Sequence, residues 1–232
     1  PERMFVLPNQ LHAMIAQAYA LGATAVVSRP REVMAKLIQF ANEEKAEQDD
    51  TDAASSSTAS SAAAFASMFS AAREGKPIDL RQAEHATSQI ITAVARNGLN
   101  EWLDEVRQHH EGTFQHCLLV TGVAVGFALD IGFGKADVKR LGISATLHDI
   151  GKARIPLAIL DKPGRLSPAE EEVMRRHPAI GYDLLKTIPE ISLEVLEGVR
   201  HHHEYLDGSG YPDGLEASGI CDLVRLLTIS DI

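Results

Sequence analysis

The sequence predicts a mainly α protein: an all-helical domain over residues 65–232, preceded by a small, partial α/β segment. Three observations carry this reading. Apolar residues make up 45% of the 232 but aromatics only 5%, so the core must be built from Leu, Ile, Val and Ala, which suits helices. From Phe65 onward apolar positions recur at helical spacing. No alternating strand pattern of useful length interrupts that stretch.

The elements follow in order. Met4-Phe5-Val6-Leu7 reads as a short buried strand. Leu11, Met14, Ile15, Ala18 and Tyr19 share one helical face, and Thr24–Val27 reads as a second strand. Ser28-Arg29-Pro30 opens a helix, with a capping serine and Pro at the entry. Val33, Met34, Leu37, Ile38 and Phe40 make that helix amphipathic as far as about residue 46. Two parallel strands cannot bury both faces of a sheet, so the expectation is either a chain that begins mid-domain or a degenerate remnant over residues 1–46. Residues 47–64 break the pattern: a charged run gives way to Ala and Ser over 53–64, read as a solvated linker or an extended helix end. Phe65, Met68, Phe69 and Ala72 then form a stripe that ends at Gly75 and Pro77. A second helix is expected over Ile78–Arg96, with Gly98 at its exit and Asn100 as the cap of a third carrying Trp102, Leu103 and Val106.

Charge narrows the function. The chain has 22 basic and 32 acidic residues, a net −10. Such a surface is a poor binder of DNA or RNA polymers, because phosphate contacts need clustered Lys and Arg. An anionic substrate would need a metal or a few placed cations. Cys117 and Cys221 belong to no CxxC pair and read as two buried thiols in a reducing compartment. The charge-free run Cys117–Leu129 is far short of the roughly 20 apolar residues that span a bilayer. A cytoplasmic location without membrane insertion is expected.

Histidine is the informative residue. Six of ten fall between positions 116 and 203: His116, His148, His177, His201, His202 and His203. His116 shares a helical stripe with Val120, Val123 and Phe127. His148 lies seven residues after Leu141, and Asp149 follows it. His202 and His203 come three and four residues after Val199. Asp231 lies four residues after Leu227 and is read as pointing inward. A single histidine on an apolar face is ordinarily a hydrogen-bonded core residue. Inward carboxylates are rarer, because an unpaired buried charge is very unfavourable. Several such groups together need a shared partner, and a divalent metal is the simplest. Imidazoles with carboxylates suit Fe, Mn or Zn. The donors are too many for one tetrahedral zinc, and two metals sharing a carboxylate fit their number.

The motifs add a resemblance. His148-Asp149-Ile150-Gly151-Lys152, His177-Pro178 with Gly181, and His202-His203-Glu204 followed by Asp207-Gly208-Ser209-Gly210-Tyr211-Pro212 resemble the signatures of the HD-GYP family of HD-type phosphodiesterases. Lys162–Ser167 with Glu170, Thr113–His116 and Ile229-Ser230-Asp231 resemble its remaining segments. Ser167 and Glu170 also form a capping box with Pro168 at the first turn. The resemblance implies hydrolysis of cyclic di-GMP to linear pGpG, to GMP, or to both. It implies two divalent ions, Fe or Mn, one held by His116, His148, Asp149 and Asp231. The other would be held by His177, His202 and His203, with Asp149 bridging. Asp149 and Lys152 would serve catalysis, and Lys152, one helical turn above the metal, would also bind substrate with Gly208, Gly210, Tyr211 and Pro212. In the family this loop is an interaction surface, which implies a GGDEF-type or other signalling partner; a homodimer is a further option. Ala20-Leu21-Gly22-Ala23 and Val26–Pro30 resemble the last part of a degenerate response-regulator receiver domain.

Departures from the pattern bear on activity. Cys117 stands where the family usually has Ser, an exchange expected to be neutral. Some members bind a third metal through a nearby glutamate, and Glu111 is the candidate, although Gly112 replaces the usual tyrosine. His201 precedes the matching pair and is expected to be exposed. The His109-His110 pair is read as a solvated helix end. The family continues past its last Asp with a helix and basic residues that grip the phosphates, so the C-terminal part of the domain is expected to be missing after residue 232. The alternative function is a weak or inactive HD-GYP module that binds the dinucleotide or a partner protein.

Overall fold

The computed structural model describes residues 4–6, 25–27, 52–109 and 113–231, with side chains over 60–107 and 114–231. Near the start, β1 (Met4–Val6) and β2 (Ala25–Val27) pair in parallel, with Phe5 opposite Val26. The remaining residues of the receiver-like stretch lie outside the described ones.

Helix α1 (Asp52–Glu74) contains the Ala/Ser run. Alanine is the best helix former, and here the run extends the helix rather than forming a loose linker. Ser61 is already buried, so packing begins slightly before the expected boundary at residue 65. Helix α2 (Leu80–Asn97) starts two residues later than expected because Asp79 caps it, its carboxylate accepting the Arg81 amide. Gly98 ends α2 with a φ of 86°, and α3 (Leu99–His109) follows directly. Asn100 therefore lies inside the first turn of α3 instead of ahead of it. Trp102 on α3 is buried, and its indole donates to the Leu118 carbonyl at 3.1 Å.

Helix α4 (Thr113–Asp130) carries that carbonyl, and α5 (Lys135–Leu147) packs on α4, α2 and the later α9. Every residue from Leu141 to Leu147 is buried. Small side chains make this crowding feasible. A Cβ on Gly142 would meet Thr87 at 2.6 Å, and one on Gly198 would meet Ser144 at 2.9 Å. The Thr87 and Thr146 hydroxyls pair at 2.9 Å inside this layer, whereas the buried Ser144 hydroxyl has no hydrogen-bond partner among the described residues.

A 3-10 turn (Ile150–Arg154) follows, then α6 (Leu157–Leu160), α7 (Pro168–Met174), α8 (His177–Leu185) and α9 (Leu193–His201). The Ser167–Glu170 capping box opens α7, with Pro168 in its first turn. A short 3-10 turn (Ala217–Gly219) leads to α10 (Asp222–Ser230), which packs on α4, α5 and α9. Beyond residue 60 the described chain contains no strand, only a single antiparallel bridge between Asp207 and Glu216. Cys117 is a buried free thiol, as expected, but Cys221 is exposed. It stands at the N-cap of α10, outside that helix's apolar face.

Gly151 fixes the relation between the 3-10 turn and α8. A Cβ there would fall 1.9 Å from the His177 carbonyl oxygen and 2.7 Å from the Gly181 nitrogen. Both neighbours are backbone and cannot rotate away. Gly151→Ala is therefore expected to destabilise the chain by about 3 kcal/mol or more, read as a lower denaturant midpoint. Gly219→Ala, whose nearest neighbour would be at an ordinary 3.7 Å, should leave the midpoint nearly unchanged.

Candidate metal centre

Six of the seven predicted donors sit at or beside helix ends, where the chain changes direction and a short side chain can reach a common point. His148 caps the buried helix α5, and Asp149 follows as the chain leaves α geometry. His177 begins α8, His202 caps α9 with His203 next, and Asp231 caps α10. His116 comes from the first turns of α4. It keeps 40% of its side chain exposed, against the expectation of a buried stripe. That stripe holds for Val120 and Val123 deeper in α4, whereas His116 stands at the rim.

The hydrogen bonds fix which face each ring presents. His148, His177 and His202 place Nδ1 against the carbonyls of Ala145, Met174 and Val199, at 2.6, 2.8 and 2.8 Å. A carbonyl only accepts, so each Nδ1 donates, and in the neutral ring the Nε2 lone pair is free. The His177 and His202 Nε2 atoms face each other at 3.2 Å. Asp149 Oδ1 lies 3.2 Å from His177 Nε2, yet this buried oxygen has no hydrogen-bond partner. His148 Nε2 lies 3.4 Å from Asp149 Oδ2 and 3.3 Å from Asp231 Oδ1, again without hydrogen-bonding geometry. Buried orphans of this kind cost about 1–3 kcal/mol each. Cations among the facing lone pairs would satisfy all of them.

The donors fall into overlapping groups, each with ligand atoms within 4.8 Å of one another: His177, His202 and His203; His116, His148 and Asp231; and Cys117, His148 and Asp149. Nitrogen and carboxylate oxygen in such numbers suit borderline transition ions. Asp149 stands between the groups, with Oδ1 toward His177 and Oδ2 3.6 Å from His116. These clusters could hold metal ions, and the residues present fit that role.

Charge is distributed accordingly. Burial alone would raise the Asp149 carboxyl, but His148, His177 and Lys152 hold it well below the usual range. Asp231 is likewise lowered against its burial, by His116 and His148. Burial pushes His202 well below its ordinary value, and the surrounding imidazoles add to this. Burial also takes His203 down to about 4. At His148 burial is outweighed by Asp149 and Asp231, which raise its pKa to about 10. This end of the cluster stabilises a cation, and a metal ion bound there would compete with a proton for the His148 lone pair. Burial raises the Cys117 thiol well above its ordinary value, which makes it a poor donor beside the carboxylates.

The surroundings correct two expectations. Lys152 is not one turn up a continuous helix, because α5 stops at Leu147 and Lys152 lies on the 3-10 turn. Its ammonium donates to Asp149 Oδ2 at 2.5 Å. His201 is buried, not exposed: its ring nitrogens lie 2.9 Å from Glu197 and 2.9 Å from Asp213. The segment after α9 folds back and places Asp213 over it, and Arg200 grips the same carboxylate at 2.7 and 2.9 Å. Glu111 and the side chains of His109 and His110 lie outside the described residues.

The Asp207–Pro212 loop lies against the donors. Gly208 takes a φ of 77°. A Cβ on Gly210 would meet the Tyr205 nitrogen at 2.4 Å, so the loop rests on the backbone that follows His203. The Tyr211 amide donates to the His203 carbonyl at 3.1 Å.

A family model described as the HD domain matches residues 85–232, more than half the chain. The chain belongs to the HD domain family. Across 171 residues it is 36% identical to a protein of Pseudomonas aeruginosa named cyclic di-GMP phosphodiesterase PA4108, covering 73% of this chain and 41% of that one. It is 37% identical over 120 residues to 3'3'-cGAMP-specific phosphodiesterase 1 of Vibrio cholerae, covering 52% and 28%. This HD domain chain thus spans less than half the length of these relatives. Among solved structures it is similar to Bd1817, an HDG"Y"P protein from Bdellovibrio bacteriovorus. The TM-score is 0.61 and the identity 19%, over 87% of this chain and 65% of that one, which shows a shared fold.

One residue of this HD domain was visible only as a motif letter. Glu204 is buried, and its carboxylate accepts the amides of Asp213, Gly214 and Leu215 at 2.6, 3.0 and 2.9 Å. It closes the loop onto the turn that carries His202 and His203. Glu204→Gln sets an NH2 group against at least one of these amides, an expected loss of about 1–3 kcal/mol. Hydrogen exchange should quicken across residues 205–215 and stay unchanged in α2.

Proposed function

We propose that this HD domain is a metal-dependent phosphodiesterase that hydrolyses cyclic di-GMP to linear pGpG, GMP or both. The observation that carries the reading is the convergence of seven donors, three of them imidazoles whose Nδ1 atoms are anchored on carbonyls so that Nε2 turns toward the others. The name of the Pseudomonas relative supports cyclic di-GMP as substrate, and that of the Vibrio relative makes 3'3'-cGAMP the second substrate to test. His116, His148, Asp149 and Asp231 would hold one ion. His177, His202 and His203 would hold the other, with Asp149 shared. Fe or Mn fits the donors, and Glu111 is the candidate for a third ion. When bound, such ions polarise the phosphodiester and lower the pKa of a water.

The chain's own groups do the rest. Asp149 holds the two donor groups together through its two oxygens. Lys152 anchors that carboxylate and keeps 21% of its side chain exposed, so its remaining N–H groups can meet a phosphoryl oxygen. Gly208, Gly210, Tyr211 and Pro212 form the wall beside the donors against which substrate would rest. Tyr205 and Leu206 expose apolar surface on the same loop, which suits a GGDEF-type or other signalling partner, and a homodimer is open in this reading. A receiver-like segment over residues 1–46 would precede the catalytic unit as its input. No helix among the described residues is long and apolar enough to cross a membrane, and a cytoplasmic location belongs to the same proposal.

The test is metal analysis of anaerobically purified protein beside turnover of cyclic di-GMP and 3'3'-cGAMP. Two ions per chain and hydrolysis of cyclic di-GMP are expected, with turnover reduced about a thousandfold in Asp149→Ala. A metal-free protein that binds the dinucleotide without cleaving it would refute the proposal. Lys152→Ala should keep both ions and lower kcat about a hundredfold.

A further inference from the structure

His203 is held differently from the other buried histidines of the centre. His148, His177 and His202 each anchor Nδ1 on a backbone carbonyl. Among the described residues no carbonyl receives Nδ1 of His203, which lies 3.7 Å from Asp231 Oδ2. Its side chain keeps 24% exposure. Its orientation must therefore come from the flank.

The flank is a stack. The Tyr211 ring lies on the His203 ring, with centroids 4.7 Å apart and planes 30° from parallel. The Arg175 guanidinium lies over the Tyr211 ring, 4.4 Å from its centroid. Arg175 caps α7, two residues before His177. Among the described residues it forms no ion pair or side-chain hydrogen bond, so the ring is its partner. A guanidinium suits this position because its flat, weakly hydrated cation packs on an aromatic face.

We infer that Arg175, acting through the ring of Tyr211, is a positioning residue that sets His203 for metal binding. The stack ties the segment carrying His177 to the one carrying His203, so two donors of one group are placed by a single contact. The inference rests on the metal-binding reading above. It assigns Tyr211 a role independent of substrate, carried by its ring and not by its hydroxyl.

The test uses the full chain, stripped of metal and free of nucleotide, titrated with Mn(II). Calorimetry reads the two affinities, and low-temperature EPR reads the exchange-coupled pair. In Arg175→Ala the weaker ion should bind about tenfold less tightly and the coupled signal should fade, while the tighter ion is unchanged. Tyr211→Ala should lose about ten- to a hundredfold, and Tyr211→Phe should match the parent protein. Arg175→Lys should fall between Arg175→Ala and the parent, with circular dichroism confirming folded protein throughout. Unchanged binding of both ions in Arg175→Ala overturns the inference and leaves the proposed function standing. An equal loss at both ions also overturns it, since that marks general destabilisation. A parent protein that binds no second ion removes the inference and the two-ion reading together.

Discussion

Two imidazole Nε2 atoms, on rings whose Nδ1 atoms are anchored on backbone carbonyls, face each other 3.2 Å apart in the interior. Their repulsion, and that of the Asp149 oxygen beside them, must be offset by the packing that forces them together or by positive charge. The rest of the structure can be read as the means of holding that arrangement. A helix buried along its last two turns delivers His148 and Asp149, and glycines let its neighbours approach closely enough to fix it. Each carbonyl that orients a ring belongs to the residue three positions earlier, so the local turn, not a distant partner, chooses the tautomer.

The electrostatics divide the centre into two unlike halves. The carboxylates gather around His148, where they stabilise positive charge. The other half is richer in imidazoles that burial keeps neutral. Asp149 belongs to both. An ion bound near the carboxylates would have more of its charge neutralised by protein than one bound among the histidines. Two ions bound there would therefore differ in affinity, and a titration that resolves them would assign each to its residues.

Much of this was legible in the sequence. Helical periodicity placed His148 and Asp231 on inward faces, and the core stripe of Phe65, Met68, Phe69 and Ala72 is buried as read. What escaped depends on chain reversals, which a periodicity does not record. His201 was expected to face solvent because it stands outside the matching histidine pair, yet the returning loop covers it with Asp213. Glu204 satisfies three amides that lie 9–11 residues further on. Lys152 was placed by counting along a helix that ends before it. Arg175 meets Tyr211 across 36 positions, and no spacing rule relates them.

The backbone contact at Gly151 has a wider meaning. There the strand of chain bearing Asp149 touches the one bearing His177 with no side chain between. The approach of the Asp149 segment to the His177 segment is thus set by main chain. Side chains elsewhere in the core can be exchanged for others of similar bulk without altering this backbone contact. Divergence in the core is decoupled from this contact, and a chain built this way can drift in sequence while Asp149 and His177 keep their spacing.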